Sequence, residues 1–224
     1  MKVIVFGATG MVGQGVLREC LLDDGVTDIL TIGRRKTGVG HGKLHEIALI
    51  DLAGDAIDSL RLGDYDACFF CLGVSSAGIS EAEYRRITHD IAVRAATAFV
   101  KQNPASRFIF VSGAGADSTG KSRIMWARVK GETENAILAL PFRGKYVFRP
   151  AFIEPEHGIV SRTPLYRFFY ALLRPLYPLL KALLPGQMTT TSRMGRAMLN
   201  VARRGAPKSI LENKDIEAAA DSNA

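Results

Sequence analysis

The sequence predicts an α/β protein with a doubly wound parallel sheet and a small helical carboxy-terminal extension. Up to Pro150, apolar strand-like runs alternate with helix-like stretches, which is the order that builds parallel sheets. A glycine-rich turn joins the first apolar run to an apolar helix, and beyond Pro150 the alternation gives way to a strongly apolar stretch. These observations predict one layered domain followed by an extension.

The first strand is predicted at 2–6, an apolar and β-branched run, and the first helix at 11–23. Between them stands the sequence Gly-Ala-Thr-Gly-Met-Val-Gly, which is the setting of a dinucleotide-binding fingerprint. Glycine lets the main chain approach a pyrophosphate closely, and the free N–H groups of the helix attract that anion. The residues predicted to form this cradle are Gly7, Thr9, Gly10, Met11, Val12 and Gly13.

Five more strands and two more helices continue the alternation, as a dinucleotide-binding Rossmann domain requires. The helix at 80–102 is the best supported, because Ser80 is a suitable N-cap and acidic residues favour its first turn. An apolar stripe at spacings of three and four follows, and Asn103-Pro104 ends the helix. The strands are predicted near 27–32, 44–50, 66–72, 106–112 and 144–149, the other helix at 122–139, and a weak turn at 53–60.

The chain has 224 residues, of which 47% are hydrophobic, so it can bury one large core. We expect a single domain over 1–224, with 151–224 packed on the main sheet as its extension. The apolar content of this extension exceeds what roughly seventy residues carry alone. Its regular elements are predicted to be a helix at 191–204, a strand at 209–211 and a helix at 214–220.

The apolar stretch at 164–185 is not expected to span a membrane. Its three basic residues cost about 2.5–3.5 kcal/mol each to insert, and its central prolines break a helix. Arg167, Arg174 and Lys181 recur every seven residues beside apolar ones, which is typical of a helix lying on an anionic membrane surface. The alternatives are a roof over a substrate pocket and the seam of a homodimer.

The end of the second strand indicates which coenzyme binds. Enzymes that use NAD place an acidic residue there for the ribose hydroxyls, whereas basic groups accommodate the extra phosphate of NADP. Here the strand runs into Arg34, Arg35 and Lys36 with no carboxylate. Guanidinium groups match a phosphate in charge and geometry, so Arg34 and Arg35 favour NADP(H) over NAD; a solvated basic turn is the alternative. Further coenzyme contacts are predicted after the third and fourth strands, at Asp51, Leu52, Cys71, Leu72 and Gly73.

Charge and cysteine content exclude several classes of protein. The net charge of +7 is dispersed, and no zinc-finger spacing or RNA-binding signature occurs, so we predict neither nucleic-acid binding nor a metal site. The three cysteines are too few for a disulfide framework, and Cys68 and Cys71, although spaced C-x-x-C, fall in a strand where they point to opposite faces. With Cys20 they are expected to be buried thiols. The amino terminus lacks a secretory h-region, so we expect a cytoplasmic protein, with membrane-surface association through 164–185 as a further possibility.

Several motifs together resemble the short-chain dehydrogenase/reductase superfamily, in particular its atypical NAD(P)-binding branch similar to nucleoside-diphosphate-sugar epimerases. These motifs are the glycine turn at 7–13, Arg34, Phe-Val-Ser at 110–112, Lys-Gly-Glu-Thr-Glu at 130–134 and Phe-Arg-Pro at 148–150. The resemblance runs from residue 1 to about 155 and weakly over 189–217. It implies that the extension contributes to the substrate side.

The resemblance also implies a reactive centre of serine, tyrosine and lysine. Ser112 matches the serine and Lys130 the lysine, which in the family also bonds the nicotinamide ribose. Trp126 stands at the tyrosine position of the Y-x-x-x-K spacing. A phenol can pass a proton, whereas an indole N–H only donates a hydrogen bond, so Trp126 cannot be the family's acid/base group.

Three functions stay open. The first, which we favour, is an NADP-dependent oxidoreductase acting on a small carbonyl or apolar substrate that the sequence does not identify. Its proton would come from Ser112, a water, His157 or Tyr166. The second is a non-catalytic protein that senses NADPH and regulates a partner. The third is an epimerase-like isomerase that uses the coenzyme transiently.

Overall fold

The computed structural model describes residues 1–159 and 186–222. The strands in this part of the chain are β1 (Lys2–Phe6), β2 (Asp28–Gly33), β3 (Leu44–Ala48), β4 (Ala67–Phe70), β5 (Arg107–Val111), β6 (Gly144–Arg149), β7 (Phe152–Glu154), β8 (Met188–Thr190) and β9 (Ile210–Glu212). The helices are α1 (Met11–Leu22), α2 (Glu81–Arg85), α3 (Ile91–Gln102), α4 (Met125–Ala139), α5 (Thr191–Arg204) and α6 (Asn213–Asp221). A 3₁₀ turn covers Asp55–Ile57 and a π-helical turn covers Arg86–Asp90.

Seven strands form one parallel sheet in the order β3-β2-β1-β4-β5-β6-β9. The chain winds outward from β1 to β3, returns to β4 beside β1, and then winds the other way. The predicted doubly wound Rossmann sheet is therefore confirmed. Its order reverses between β1 and β4, which is where ligands bind in such sheets. A separate parallel pair, β7 with β8, was not predicted.

Helices cover both faces of the sheet, because successive residues of each buried strand point to opposite sides. Val3 and Val5 of β1 belong to the cluster under α1, α5 and α6. Ile4 and Phe6 belong to the cluster under α3 and α4. The second cluster is rich in aromatic side chains, with the rings of Phe6 and Phe70 5.3 Å apart. All four β1 side chains are at most 1% exposed, so the first strand lies at the centre of the core.

The helix predicted at 80–102 forms as one run of α2, the π-helical turn and α3. The Ser80 hydroxyl accepts a hydrogen bond from the Glu83 amide at 3.2 Å, as expected of an N-cap. The π-helical turn was not predicted. It carries Arg86 and Ile87, which line the cleft described below.

Several predicted elements are shorter in the structure, and for two of them the contacts show why. The strand predicted at 66–72 ends at Phe70, because the next two residues leave the sheet to pass under the glycine turn. The helix predicted at 122–139 begins at Met125. The residues before it form a loop around the Asp117 carboxylate, which accepts hydrogen bonds from the amides of Lys121 and Ser122.

The extension is joined to the main sheet on two sides. Its strand β9 pairs with β6 and becomes the seventh strand of the sheet. Its helix α5 packs against α1 closely enough that a Cβ at Gly15 would lie 2.6 Å from Thr191. The segment at 164–185, including the candidate proton donor Tyr166, lies outside the described residues. Within the described ranges, no helix is both long and apolar enough to cross a membrane.

The three cysteines are free thiols. Cys68 packs in the cluster under α3, whereas Cys71 packs against the opposite cluster, as the strand alternation predicts. Burial raises the pKa of each of the three thiols well above its ordinary value. In the described structure Cys20 and Cys68 are buried core residues, whereas Cys71 is half-buried and lines the cleft described below.

Candidate functional site

A cleft of about 910 Å³ opens along the carboxyl ends of the central strands. Gly7 enters it after β1, Cys71 after β4, Ser112 after β5 and Pro150 after β6. The structure brings into this one cleft every residue predicted to contact the coenzyme except Gly13, together with Ser112 and Lys130. Those predicted residues that line it are Gly7, Thr9, Gly10, Met11, Val12, Arg34, Arg35, Asp51, Leu52, Cys71, Leu72, Gly73 and Lys130.

The glycine turn is shaped by contacts that exclude side chains. Gly7 has a φ of +76°, and a Cβ there would lie 2.6 Å from the Leu72 amide nitrogen. A Cβ on Gly13 would lie 2.1 Å from the Gly7 carbonyl oxygen, so Gly13 supports the turn from below instead of lining the cleft. The N-cap Gly10 supplies no side-chain cap to α1, and its first turn carries no acidic residue. The first N–H groups of α1 therefore face the cleft without a side-chain acceptor, which suits a diphosphate.

The basic turn after β2 has no acidic partner. Arg34 and Arg35 are exposed, line the cleft and, among the described residues, form no ion pair. The carboxylate nearest along the neighbouring strand, Glu46, accepts hydrogen bonds from the Thr31 hydroxyl and the Thr37 amide and does not line the cleft. The end of β2 therefore presents two guanidinium groups to the cleft, and no carboxylate follows this strand for ribose hydroxyls.

The loop after β3 adds a contact that sequence reasoning missed. Asp51 forms an ion pair with Arg86 of the π-helical turn, with 3.0 Å between the Arg86 nitrogen and the carboxylate oxygen. Both groups line the cleft and are more than half exposed. Leu52 is buried and packs in the core cluster, so it anchors this loop. Ile50 is 99% exposed and also lines the cleft. Its position gives an adenine ring an apolar surface to lie on.

Ser112 lies at the floor of the cleft and its hydroxyl donates a hydrogen bond to Glu134 of α4. Glu134 is fully buried and also accepts hydrogen bonds from the Ser118 hydroxyl and from Arg149, whose Nε lies 3.0 Å from Oε1. A second Arg149 nitrogen, Nη2, donates to the other Glu134 oxygen. The third, Nη1, forms an ion pair with Glu212, 3.2 Å from its Oε1. The hydrogen bonds to Glu134 raise the pKa of the Arg149 guanidinium above its ordinary value.

Lys130 reaches the cleft from α4. Its ammonium lies 3.4 Å from the Val111 carbonyl oxygen, to which it donates, and 5.6 Å from the centre of the Phe110 ring. Burial lowers the pKa of this ammonium to about 8, an effect that the nearby Glu134 carboxylate opposes. A lysine in this state exchanges a proton near neutral pH.

The other candidate proton donors lie elsewhere. Trp126 does not line the cleft; its ring packs beside Gly115, with the ring atom Cη2 3.3 Å from where a Cβ would stand. His157 is exposed in a loop, with a φ of +55°, and is also absent from the cleft lining. In the described structure, therefore, the indole does not fill the space beside Ser112 and Lys130.

Glu134 and Arg149 are the main site residues that sequence reasoning left without a role. Both stand within motifs that carry the resemblance. Glu134 follows Lys130 by four residues on a helix, so the two share one face. That spacing was a usable signal for a charge pair. The hydrogen bond from Ser112 to Glu134 could not be inferred from spacing, because it joins residues 22 apart that only tertiary packing brings together.

A comparison with known families and proteins agrees with this geometry. The profile of the NAD dependent epimerase/dehydratase family matches residues 3–124. The mitochondrial protein FMP52-1 of Scheffersomyces stipitis is 30% identical over 158 residues, covering 70% of this chain and 69% of that protein. The mitochondrial protein fmp52 of Emericella nidulans is 30% identical over 208 residues, covering 89% and 86%. Protein HTATIP2 of Rattus norvegicus is 28% identical over 159 residues, covering 68% and 62%.

These relatives overturn the expected localisation. The FMP52 proteins are named as mitochondrial, so the prediction of a cytoplasmic protein is wrong. The prediction of a cytoplasmic protein relied on signals that do not separate these compartments. Free thiols do not distinguish the cytoplasm from an organelle that keeps thiols reduced.

Solved structures show the same fold. The enzyme WbmF of Bordetella bronchiseptica, in complex with NAD+ and UDP, superposes with a TM-score of 0.71 at 14% identity, covering 100% of this chain and 78% of that one. MoeE5, in complex with UDP-glucose and NAD, superposes with a TM-score of 0.65 at 18% identity, covering 95% and 75%. At these identities the likeness concerns the fold alone.

Proposed function

The chain belongs to the NAD dependent epimerase/dehydratase family, and from this membership we propose that it is an NADP(H)-dependent oxidoreductase acting on a small, largely apolar carbonyl compound. The observation that carries the proposal is the pair of unpartnered guanidinium groups at the end of β2, on Arg34 and Arg35.

The argument for NADP rests on charge. Other exposed arginines in the described structure also form no ion pair, but Arg61, for example, lies outside the cleft. Arg34 and Arg35 have none in the described structure and lie on the cleft that holds the glycine turn. A 2′-phosphate would satisfy both, with bidentate hydrogen bonds that a ribose hydroxyl cannot match.

The argument for a carbonyl substrate rests on the opposite end of the cleft. Beside Ser112 and Lys130 its walls are Pro150, Ala151 and Ile153, which suit an apolar body. Lys130 offers one positive donor for a single oxygen. The bound coenzyme supplies a hydride; the residues of the chain orient the substrate and hold a proton for its oxygen.

The test is a titration calorimetry experiment with NADPH and NADH on three proteins. Wild type should bind NADPH more tightly than NADH. The double variant Arg34→Ala, Arg35→Ala should bind NADPH at least about 100-fold more weakly, since each of the two lost hydrogen bonds to a charged group contributes about 1.5–3 kcal/mol. Its affinity for NADH should be nearly unchanged. Arg61→Ala, an exposed arginine outside the cleft, is the matched control. Equal affinities of wild type for the two coenzymes would remove the NADP assignment.

Turnover is measured separately, by following oxidation of NADPH over a panel of aldehydes, ketones and quinones. Consumption of NADPH with one compound class supports an oxidoreductase. Tight NADPH binding with no turnover on any compound would overturn the enzyme proposal in favour of a protein that senses the coenzyme.

A further inference from the structure

We propose that Lys130 donates the proton to the substrate oxygen, because the buried pair of Glu134 and Arg149 commits the only hydrogen of the Ser112 hydroxyl. This inference rests on the proposed function and assigns the proton donor that the missing tyrosine leaves open.

The first step concerns Ser112. A hydroxyl carries one hydrogen and two acceptor lone pairs, whereas an ionised carboxylate only accepts. In the contact between Ser112 Oγ and Glu134 Oε1 the hydrogen therefore belongs to the serine. Toward the cleft, Ser112 has only lone pairs left. It can accept a hydrogen bond there, but it cannot donate one to a carbonyl oxygen.

The second step concerns why this hydrogen bond persists. Two Arg149 nitrogens bond the two oxygens of Glu134, and the Ser118 hydroxyl bonds one of them at 3.1 Å. The Glu134 side chain is fully buried. Both Glu134 oxygens accept hydrogen bonds from Arg149, and losing a donor would leave a buried acceptor unsatisfied. The serine is thus fixed as a donor to Glu134.

The third step concerns Lys130. Its ammonium has three hydrogens, and Val111 accepts one of them in the structure, which leaves donors for a ligand in the cleft. The charged groups around it are Glu134, one helical turn along α4, and Glu83 and Arg86, which line the same cleft from α2 and the π-helical turn. Burial of Lys130 weakens its hold on the proton. It therefore combines an available hydrogen with an acidity suited to general acid catalysis near neutral pH.

Two other titratable groups on the cleft, Cys71 and Asp51, are not placed to donate this proton. Burial raises the pKa of the Cys71 thiol well above its ordinary value, so that thiol keeps its proton. The Asp51 carboxylate is paired with Arg86. Trp126 and His157 do not line the cleft.

The proton balance is simple. As a carbonyl carbon is reduced, its oxygen takes one proton from Lys130 Nζ and becomes a hydroxyl. Lys130 is left as a neutral amine and recovers a proton from solvent before the next cycle.

The first experiment measures Lys130 directly, without turnover. Amine labelling of the full chain with a small acylating reagent, over a pH series read by mass spectrometry, gives the midpoint at which each lysine becomes reactive. Lys130 should have a midpoint near 8, against about 10.5 for a lysine in a short peptide that is labelled in the same series as the control. Added NADPH should protect Lys130. An ordinary midpoint for Lys130 would overturn the inference.

The second experiment uses Lys130→Arg, which keeps the charge and hydrogen-bond donors but does not release a proton at these pH values. We expect NADPH affinity within about threefold of wild type and a loss of about 100-fold or more in kcat, the scale of general acid catalysis. Wild-type kcat in Lys130→Arg would overturn the proposal. If wild type does not bind NADPH, the proposed function fails instead, and the two failures are thus distinguished.

The third experiment separates the roles of Ser112 and Glu134 through the pH profile of kcat/KM. An acid that must be protonated gives an alkaline limb, here with its midpoint near the labelling midpoint of Lys130. Ser112→Ala should leave that midpoint in place whatever it does to kcat. Glu134→Gln removes the negative charge that favours the ammonium, so the midpoint should move to lower pH. If Ser112→Ala abolishes the alkaline limb, Ser112 carries the proton and the proposal is wrong.

Discussion

The contact between Gly13 and Gly7 gives the sharpest test of the coenzyme cradle. A Cβ on Gly13 would stand 2.1 Å from the Gly7 carbonyl oxygen and 2.9 Å from the Ala8 Cα. Both neighbours are backbone atoms of the turn itself and cannot rotate away. Gly13→Ala therefore forces α1 and the turn apart by more than 1 Å to reach an ordinary contact distance of about 3.4 Å.

The size of the effect follows from this overlap. Inserting a methyl group where a core has no room costs about 1–3 kcal/mol, and a rigid backbone neighbour places this site at the upper end. For a chain of this length, a cost of about 3 kcal/mol corresponds to a fall in Tm of about 6–12 °C. The displaced turn should also lose the diphosphate, since its N–H groups no longer converge on one position.

The assay compares Gly13→Ala with two matched glycines of the same site. A Cβ on Gly73 meets nothing within 4 Å, so Gly73→Ala should change stability by less than about 0.5 kcal/mol. A Cβ on Gly10 lies 3.3 Å from the Gly7 oxygen, so Gly10→Ala should fall between the two. Tm by calorimetry and NADPH affinity are measured for all three. If Gly13→Ala matches Gly73→Ala in both, the reasoning from this contact is refuted.

Three further outcomes are expected. Burial lowers the pKa of Lys130 to about 8, so between pH 8 and about 10.5 the unfolded chain binds more protons and the wild type gains stability as pH rises. Lys130→Met should therefore be more stable than wild type at pH 7, by at most about 3 kcal/mol. Urea titrations should show this difference in the free energy of unfolding closing by about pH 10.5. A variant less stable than wild type at pH 7 would contradict the reasoning. The Arg203 guanidinium, bonded to Asp23, holds the pKa of that carboxyl below 3.8 and ties α5 to α1. Arg203→Ala should cost roughly 1–2 kcal/mol at neutral pH, and urea titrations at falling pH should show the difference shrinking as Asp23 is protonated. Burial raises the pKa of all three thiols, so a maleimide at pH 8 should label them only after denaturant is added. Labelling is read by mass spectrometry, and rapid labelling of the native protein would count against their burial.

Much of the fold could be predicted because its signals are local. The strand at 2–6, the glycine turn and the helix after it appear as one pattern, since each depends on neighbouring residues. The coenzyme contacts could be proposed for a similar reason. In a parallel sheet the residues that follow each strand meet at one edge, so strand ends alone select Arg34 and Asp51. The β7–β8 pair could not be found in this way, because residues 152–154 pair with residues 188–190, which lie far along the chain.

The sequence by itself determined the alternation of strands and helices, the bare glycine cradle, the basic turn after β2 and the replacement of the family's tyrosine by Trp126. These are properties of residue types at fixed spacings. Only the tertiary structure decided where the Ser112 hydrogen goes, because Glu134 of α4 accepts it and Arg149 of β6 donates to that same carboxylate. It also placed Trp126 outside the lining of the cleft and Lys130 where burial lowers the pKa of its ammonium to about 8. Hydrogen-bond direction and burial depend on which surfaces pack together, and the linear order of residues does not contain that information.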